Sequence, residues 1–177
     1  LHYETNRDIC EDGTLLLMDL GAKYQGYCAD ITRTYPVNGH FTQQQRAVYE
    51  VVLKANRTIA KTAKPGMTLR ELNDVCKKVL AEGMMAIGKI QSAEEIGRYY
   101  MHGVSHHLGL DTHDCAVRED LGLRAGMVIS DEPGLYIDEE EIGIRIEDDL
   151  LITDAGCRVL SEAIPRTTEE IEALMAR

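Results

Sequence analysis

Two capped helical segments stand between two β-rich stretches, and this order limits the fold more than any other feature. Thr42 with Gln45, and Thr68 with Glu71, each match the box that opens a helix. After the first box, Val48, Val51, Val52, Ala55, Ile59 and Ala63 recur at helical spacing, and Pro65-Gly66 stops the run. After the second, Leu72, Val75, Val79 and Leu80 form an apolar stripe, which Gly83 or Gly88 ends. Upstream, Asp12-Gly13 signals a turn and Thr14 to Leu20 a strand. Tyr24-Gln25-Gly26-Tyr27 reads as a hairpin turn and Ala29 to Tyr35 as a second strand. Downstream, residues 92–100 read as a short helix, then 104–109, 126–137 and 142–153 as strand and loop. Thr168 to Ala176 reads as a last helix. Strands, two helices, then strands predict an α+β fold with a largely antiparallel sheet.

Length and charge narrow the function classes. A chain of 177 residues without an internal linker suits one domain. Its net charge of -11 repels phosphate backbones, so no nucleic-acid partner is expected. No apolar run approaches the ~20 residues that cross a bilayer, and no membrane association is expected. The cysteines, Cys10, Cys28, Cys76, Cys115 and Cys157, are scattered and show no CxxC spacing. With no basic, apolar leader, they predict reduced thiols in a cytoplasmic protein.

Chemistry concentrates in five segments: LLLMDLG, CADITRT, MHGVSHHLGLDTHD, SDEPGLY and GIRIEDD. They carry Asp19, Asp30, His106, Glu132 and Glu147. Four carboxylates and one imidazole are the donors that two adjacent divalent cations need, and hard oxygens suit Mn²⁺. Asp19 ends an apolar run and is expected to be mostly buried, where it needs a partner or a metal. Asp30 shares a strand face with Thr32 and Thr34, and a hairpin would bring it beside Asp19. The competing reading is that both aspartates cap turns.

Ile142, Ile144 and Ile146 share one strand face, and Gly143, Arg145 and Glu147 the other. The polar face is either a site wall or a half-exposed Arg–Glu pair. His102, His106, His107 and His113 crowd one glycine-containing loop. His102 and His106 have the spacing of a helical zinc pair, but Gly103 stands where a zinc protease has its glutamate. One ligand and two substrate donors fit better than a helical pair; ordinary loop histidines are the alternative. Glu132-Pro133-Gly134 also fits a plain turn. Asp148 and Asp149 read as supporting the ligands or as solvated. Asp131 either adds charge near the metals or points to the opposite strand face. There is no GxSxG elbow, P-loop or GxGxxG fingerprint.

Taken in order, these segments resemble the pita-bread metallopeptidases, in particular the Xaa-Pro aminopeptidase (aminopeptidase P) branch. The resemblance runs from LHY at the start to TTEEIEALM near the end. It implies a pita-bread fold with covering helices. Residues 1–177 would be a C-terminal catalytic domain, incomplete at its N-terminal end, with a sheet edge left exposed. It also implies two divalent metal ions, manganese first, with cobalt or zinc as alternatives. Asp19 would chelate one metal, Asp30 and Glu147 would bridge both, and His106 and Glu132 would complete the other's shell. His102 and His113 would contact substrate and the developing oxyanion, Glu132 would shuttle a proton, and His2 and Arg145 match active-site positions. The implied substrate is a peptide with proline second, and the full-length protein is expected to be a homo-oligomer. SHHLGLDTHD favours aminopeptidase P over prolidase, its dipeptide-cleaving relative. A catalytically silent binding module of this fold would usually have lost several ligands, and none is lost here.

Overall fold

The computed structural model describes residues 5–116 and 121–176. Strand β1 (Leu15–Leu20) pairs antiparallel with β4 (Ile31–Pro36), placing Asp19 opposite Thr32. Between them, β2 (Lys23–Tyr24) and β3 (Tyr27–Cys28) form a two-residue hairpin. Gln25 and Gly26, with φ of 50° and 91°, make its left-handed corner, the conformation that suits the twist of short hairpins.

Helices α1 (Gln43–Thr62) and α2 (Leu69–Ala86) start at Thr42 and Thr68, and both capping boxes form as expected. Helix α2 is not ended by Gly83. That glycine lies inside the helix against α1, where a Cβ would come within 2.5 Å of Val51 Cγ1. Gly88, at φ +72°, follows the true end. A short 3-10 helix spans Ala93–Arg98.

Two stretches expected as continuous strand and loop each divide in two. Strand β5 (Val128–Asp131) and β6 (Gly134–Ile137) flank Glu132-Pro133. Strand β7 (Ile142–Arg145) and β8 (Asp148–Ile152) flank Ile146-Glu147. Pro133 has no N–H for a ladder, so the strand breaks there. Both breaks fall where a carboxylate is delivered sideways. β5, β8 and β9 (Cys157–Val159) form one antiparallel sheet, and β6 pairs with β7. Residues 104–109 form no strand; an isolated bridge, His107 to Ile129, ties them to β5. Helix α3 (Thr168–Met175) closes the described chain, capped by Thr167 with Glu170.

The core lies between α1 and the strands. Val48, Val52, Ala55 and Ile59 of α1, Leu135, Ile144 and Leu150 from the strands, and Ile146 between β7 and β8 have no exposed surface. Each such large side chain contributes roughly 1.5–3 kcal/mol by leaving water. The isoleucine face of β7 is therefore core, as its alternation indicated, and Arg145 and Glu147 are turned the other way. Strand β1 differs: Leu16, Met18 and Leu20 are exposed by 38%, 40% and 59%, and among the described residues β4 is its only strand partner.

Candidate metal centre

Five strand and loop segments deliver their side chains to one pocket of about 770 Å³. Its wall includes Asp19, Asp30, His102, His106, His113, Glu132, Arg145 and Glu147, so every candidate site residue among the described residues lines it. His2 lies outside the described residues.

His106 is the hub. Its Nε2 lies 3.3 Å from Asp30 Oδ2 and 3.4 Å from Glu132 Oε1. Its Nδ1 donates to the His107 carbonyl at 3.1 Å, which turns Nε2 toward the carboxylates. The loop is not helical, so the zinc-pair spacing has no structural counterpart. The bridge to β5 aims His106 into the pocket, while the His107 side chain lines a separate cavity beside Met127 and Val128. Ser130 tightens the arrangement: it accepts from the His106 N–H at 2.9 Å and donates to Glu132 Oε1 at 3.2 Å.

Asp30, His106 and Glu147 offer ligand atoms that all lie within 4.8 Å of one another. Asp19 departs from expectation. Its side chain keeps 32% exposure rather than being mostly buried, because β1 is covered on few sides. Its carboxylate is paired with Arg145 Nη2 at 2.7 Å.

Crowding and burial set the protonation of the cluster. Burial, then the charges of Glu132 and Asp30, push Glu147 up to about 8. Burial also raises Glu132 and Asp19, the latter despite Arg145. Burial acts against ionisation of Asp30 as well, but the adjacent His106 outweighs it and holds Asp30 low. Burial would lower His106, yet bonds to Asp30 and the His107 carbonyl lift it to about 9. Mutually repelling carboxylates around a half-buried cleft are what divalent cations relieve. The oxygen-rich donor set with one imidazole fits such ions, and Asp19, Asp30, His106, Glu132 and Glu147 could hold them.

A second row of contacts fixes the candidate ligands. Thr32 donates to Glu147 Oε2 at 2.6 Å and accepts from Arg145 Nε at 3.1 Å. Arg145 Nη1 donates to the Tyr136 hydroxyl at 2.9 Å, which meets His102 Nε2 at 2.8 Å. The Gly103 carbonyl accepts from His102 Nδ1 at 2.8 Å, so Nε2 is left to accept from Tyr136. Gly134 makes this junction possible, since a Cβ there would sit 2.7 Å from the Tyr136 oxygen and 3.2 Å from His102 Nε2. His113 lies edge-on to His106, ring centres 4.4 Å apart.

Beneath the pocket, Arg33 donates to Asp148 Oδ1 at 2.7 Å and to the Glu147 carbonyl at 2.6 Å. Arg166 reaches the other Asp148 oxygen at 3.1 Å. Asp148 and Asp149 are thus buried supports of the ligand strands, which removes the solvated alternative. Asp131 is fully buried away from the pocket wall, and burial and Asp148 push its carboxyl well above the usual range. Thr32, Arg33 and Tyr136 were not read as functional from the sequence. Thr32 had a signal, since it shares a strand face with Asp30.

The chain as a whole matches known proteins. The model of metallopeptidase family M24 covers residues 1–154. The chain belongs to this family. Among M24 relatives, the Xaa-Pro aminopeptidase of Escherichia coli K12 is 42% identical over 193 aligned positions, which cover 99% of this chain and 44% of that protein. An M24 structure from Bacillus anthracis, assigned to aminopeptidase P, superposes with a TM-score of 0.97 at 52% identity, covering 99% of this chain and 42% of the other. A zinc-substituted aminopeptidase P of Escherichia coli in complex with product superposes with a TM-score of 0.93 at 41% identity, covering 99% and 44%. The fold expected from the resemblance is therefore the M24 fold observed. The chain spans less than half the length of these relatives.

Proposed function

We propose that the protein of which this chain is part is a metal-dependent aminopeptidase releasing the N-terminal residue from peptides with proline second. The observation that carries the reading is the convergence of Asp19, Asp30, His106, Glu132 and Glu147 on one pocket. In this reading Asp19, Asp30, His106, Glu132 and Glu147 would together hold two metal ions, with Asp30, His106 and Glu147 at the centre of the donor set. The ions are divalent, manganese in the first instance. When bound, they would supply an acidified water and polarise the scissile carbonyl.

The chain's own residues supply the rest. Glu132, beside the ligands and held by Ser130, takes the proton from the attacking water and returns it to the leaving proline nitrogen. His113 faces the same space and donates to the developing oxyanion, while His102, its Nδ1–H held by the Gly103 carbonyl and its Nε2 by Tyr136, lines the space for the substrate. Arg145 orients Tyr136 and, through it, His102. Proline has no amide hydrogen and restrains the residue before it, so such a bond needs a dedicated site. Five free thiols fit a reducing compartment, and a cytoplasmic location belongs to the proposal. So does homo-oligomerisation of the full-length protein.

The test uses the full-length, manganese-loaded protein on Xaa-Pro dipeptides and on longer Xaa-Pro peptides. Release of the first residue from the longer peptides is expected. Activity confined to dipeptides would select the prolidase reading. Silence toward both, with fewer than two ions bound per chain, would select a binding module.

A further inference from the structure

From the pocket's charge distribution, we infer that Lys23 selects substrates carrying a carboxylate one residue beyond the proline, as the free C-terminus of a tripeptide does. This deepens the proposed function and rests on it. Lys23 opens the β2–β3 hairpin that links the strands of Asp19 and Asp30, and it lines the same pocket. Its Nζ donates to the Leu110 carbonyl at 3.1 Å. The hairpin is stitched to the histidine loop a second time, since the Cys28 N–H donates to the Gly109 carbonyl at 2.7 Å. The ammonium is therefore held at the rim rather than left to swing freely.

The rest of the wall carries the opposite sign or is already engaged. Asp19, Asp30, Asp111, Glu132 and Glu147 are acidic. Arg145, the other Lys or Arg on the wall, has its guanidinium spent on Asp19, Tyr136 and Thr32. Among the described residues no carboxylate lies within 4.0 Å of Lys23 Nζ, so its two further N–H groups have no charged partner. A short peptide brings an ammonium at one end and a carboxylate at the other. The ammonium suits the acidic groups of the wall, which leaves the carboxylate for Lys23.

A side-chain carboxylate at the third residue has the same chemistry, and the substrates distinguish the two. Full-length, manganese-loaded protein is assayed on Ala-Pro-Ala, its C-terminal amide, and Ala-Pro-Asp amide. The wild type is expected to favour the free acid over the amide by about fivefold in KM, the worth of a partly exposed ion pair. Lys23→Met should bring that ratio to about one, and Lys23→Arg should keep it, which a merely structural hairpin lysine would not do. A preference for Ala-Pro-Asp amide alone, lost in Lys23→Met, would assign the partner as an acidic side chain instead. Equal acid-to-amide ratios in wild type and Lys23→Met would overturn the inference while leaving the aminopeptidase reading intact. Cleavage of none of the three would defeat the aminopeptidase reading itself, and this inference with it.

Discussion

Thr32 donates a 2.6 Å hydrogen bond to Oε2 of Glu147, joining a β4 hydroxyl to a carboxylate delivered between β7 and β8. The same oxygen of Thr32 accepts from Arg145, so one hydroxyl sets the orientation of two pocket side chains. Groups that orient metal ligands typically carry about 10–100-fold in affinity. Thr32→Val should weaken manganese binding by about that range, with Thr32→Ser close to wild type. Titration calorimetry on the full-length protein checks this. Unchanged affinity in Thr32→Val would show that Glu147 holds its orientation without the hydroxyl.

Asp30→Asn and Glu147→Gln should each abolish turnover in the full-length protein, because each removes a charge from the centre of the proposed donor set. Metal analysis of the purified variants should find fewer ions per chain than in wild type. Near-normal turnover in both variants would refute their place in that set.

The neighbouring histidines should separate cleanly. His106 points Nε2 at Asp30 and Glu132, whereas His107 contributes a backbone bridge and a wall of the other cavity. Turnover of His106→Ala should be severely reduced and that of His107→Ala close to wild type. The reverse ranking would mean that the loop register is wrong by one residue.

Bound metal should also stabilise the fold. An ion that binds only the native state, at 100 times its dissociation constant, adds about 2.7 kcal/mol. Thermal melts of the full-length protein should shift upward with manganese and return with chelator. Carboxylate repulsion in the pocket gives this effect its source, so Glu147→Gln should shrink it.

Gly83 tests the helix pair. Alanine inside a helix gains about 1 kcal/mol over glycine. At this position its Cβ would lie 2.5 Å from the buried, stiff side chain of Val51, and such overpacking costs about 1–3 kcal/mol. The clash should win, so Gly83→Ala is expected to lower the melting temperature. Val51→Ala in the same chain should recover part of the loss. A stabilised single variant would show that the two helices part without cost.

Local features were legible because their causes are local. The boxes at Thr42 and Thr68 need one turn of chain, the Tyr24–Tyr27 corner needs two left-handed residues, and the isoleucine face of β7 needs only strand alternation. The candidate donors were readable for the same reason, since each carboxylate sits in its own short, distinctive segment.

Burial and direction were decided elsewhere. Asp19 follows an apolar run, yet its exposure depends on what covers β1, and its partner, Arg145, lies 126 residues away. The stretch 104–109, expected as strand and loop, is a loop whose single bridge, His107 to Ile129, holds it against β5 beside His106. Asp148 looked solvated as readily as supporting until Arg33 and Arg166 were brought against it. By itself the sequence determined the element order, the caps and which donor atoms are available. Only the tertiary structure decided that those donors meet in one pocket and which neighbours hold them there, because charge repulsion and hydrogen bonding act through space between segments that chain order leaves far apart.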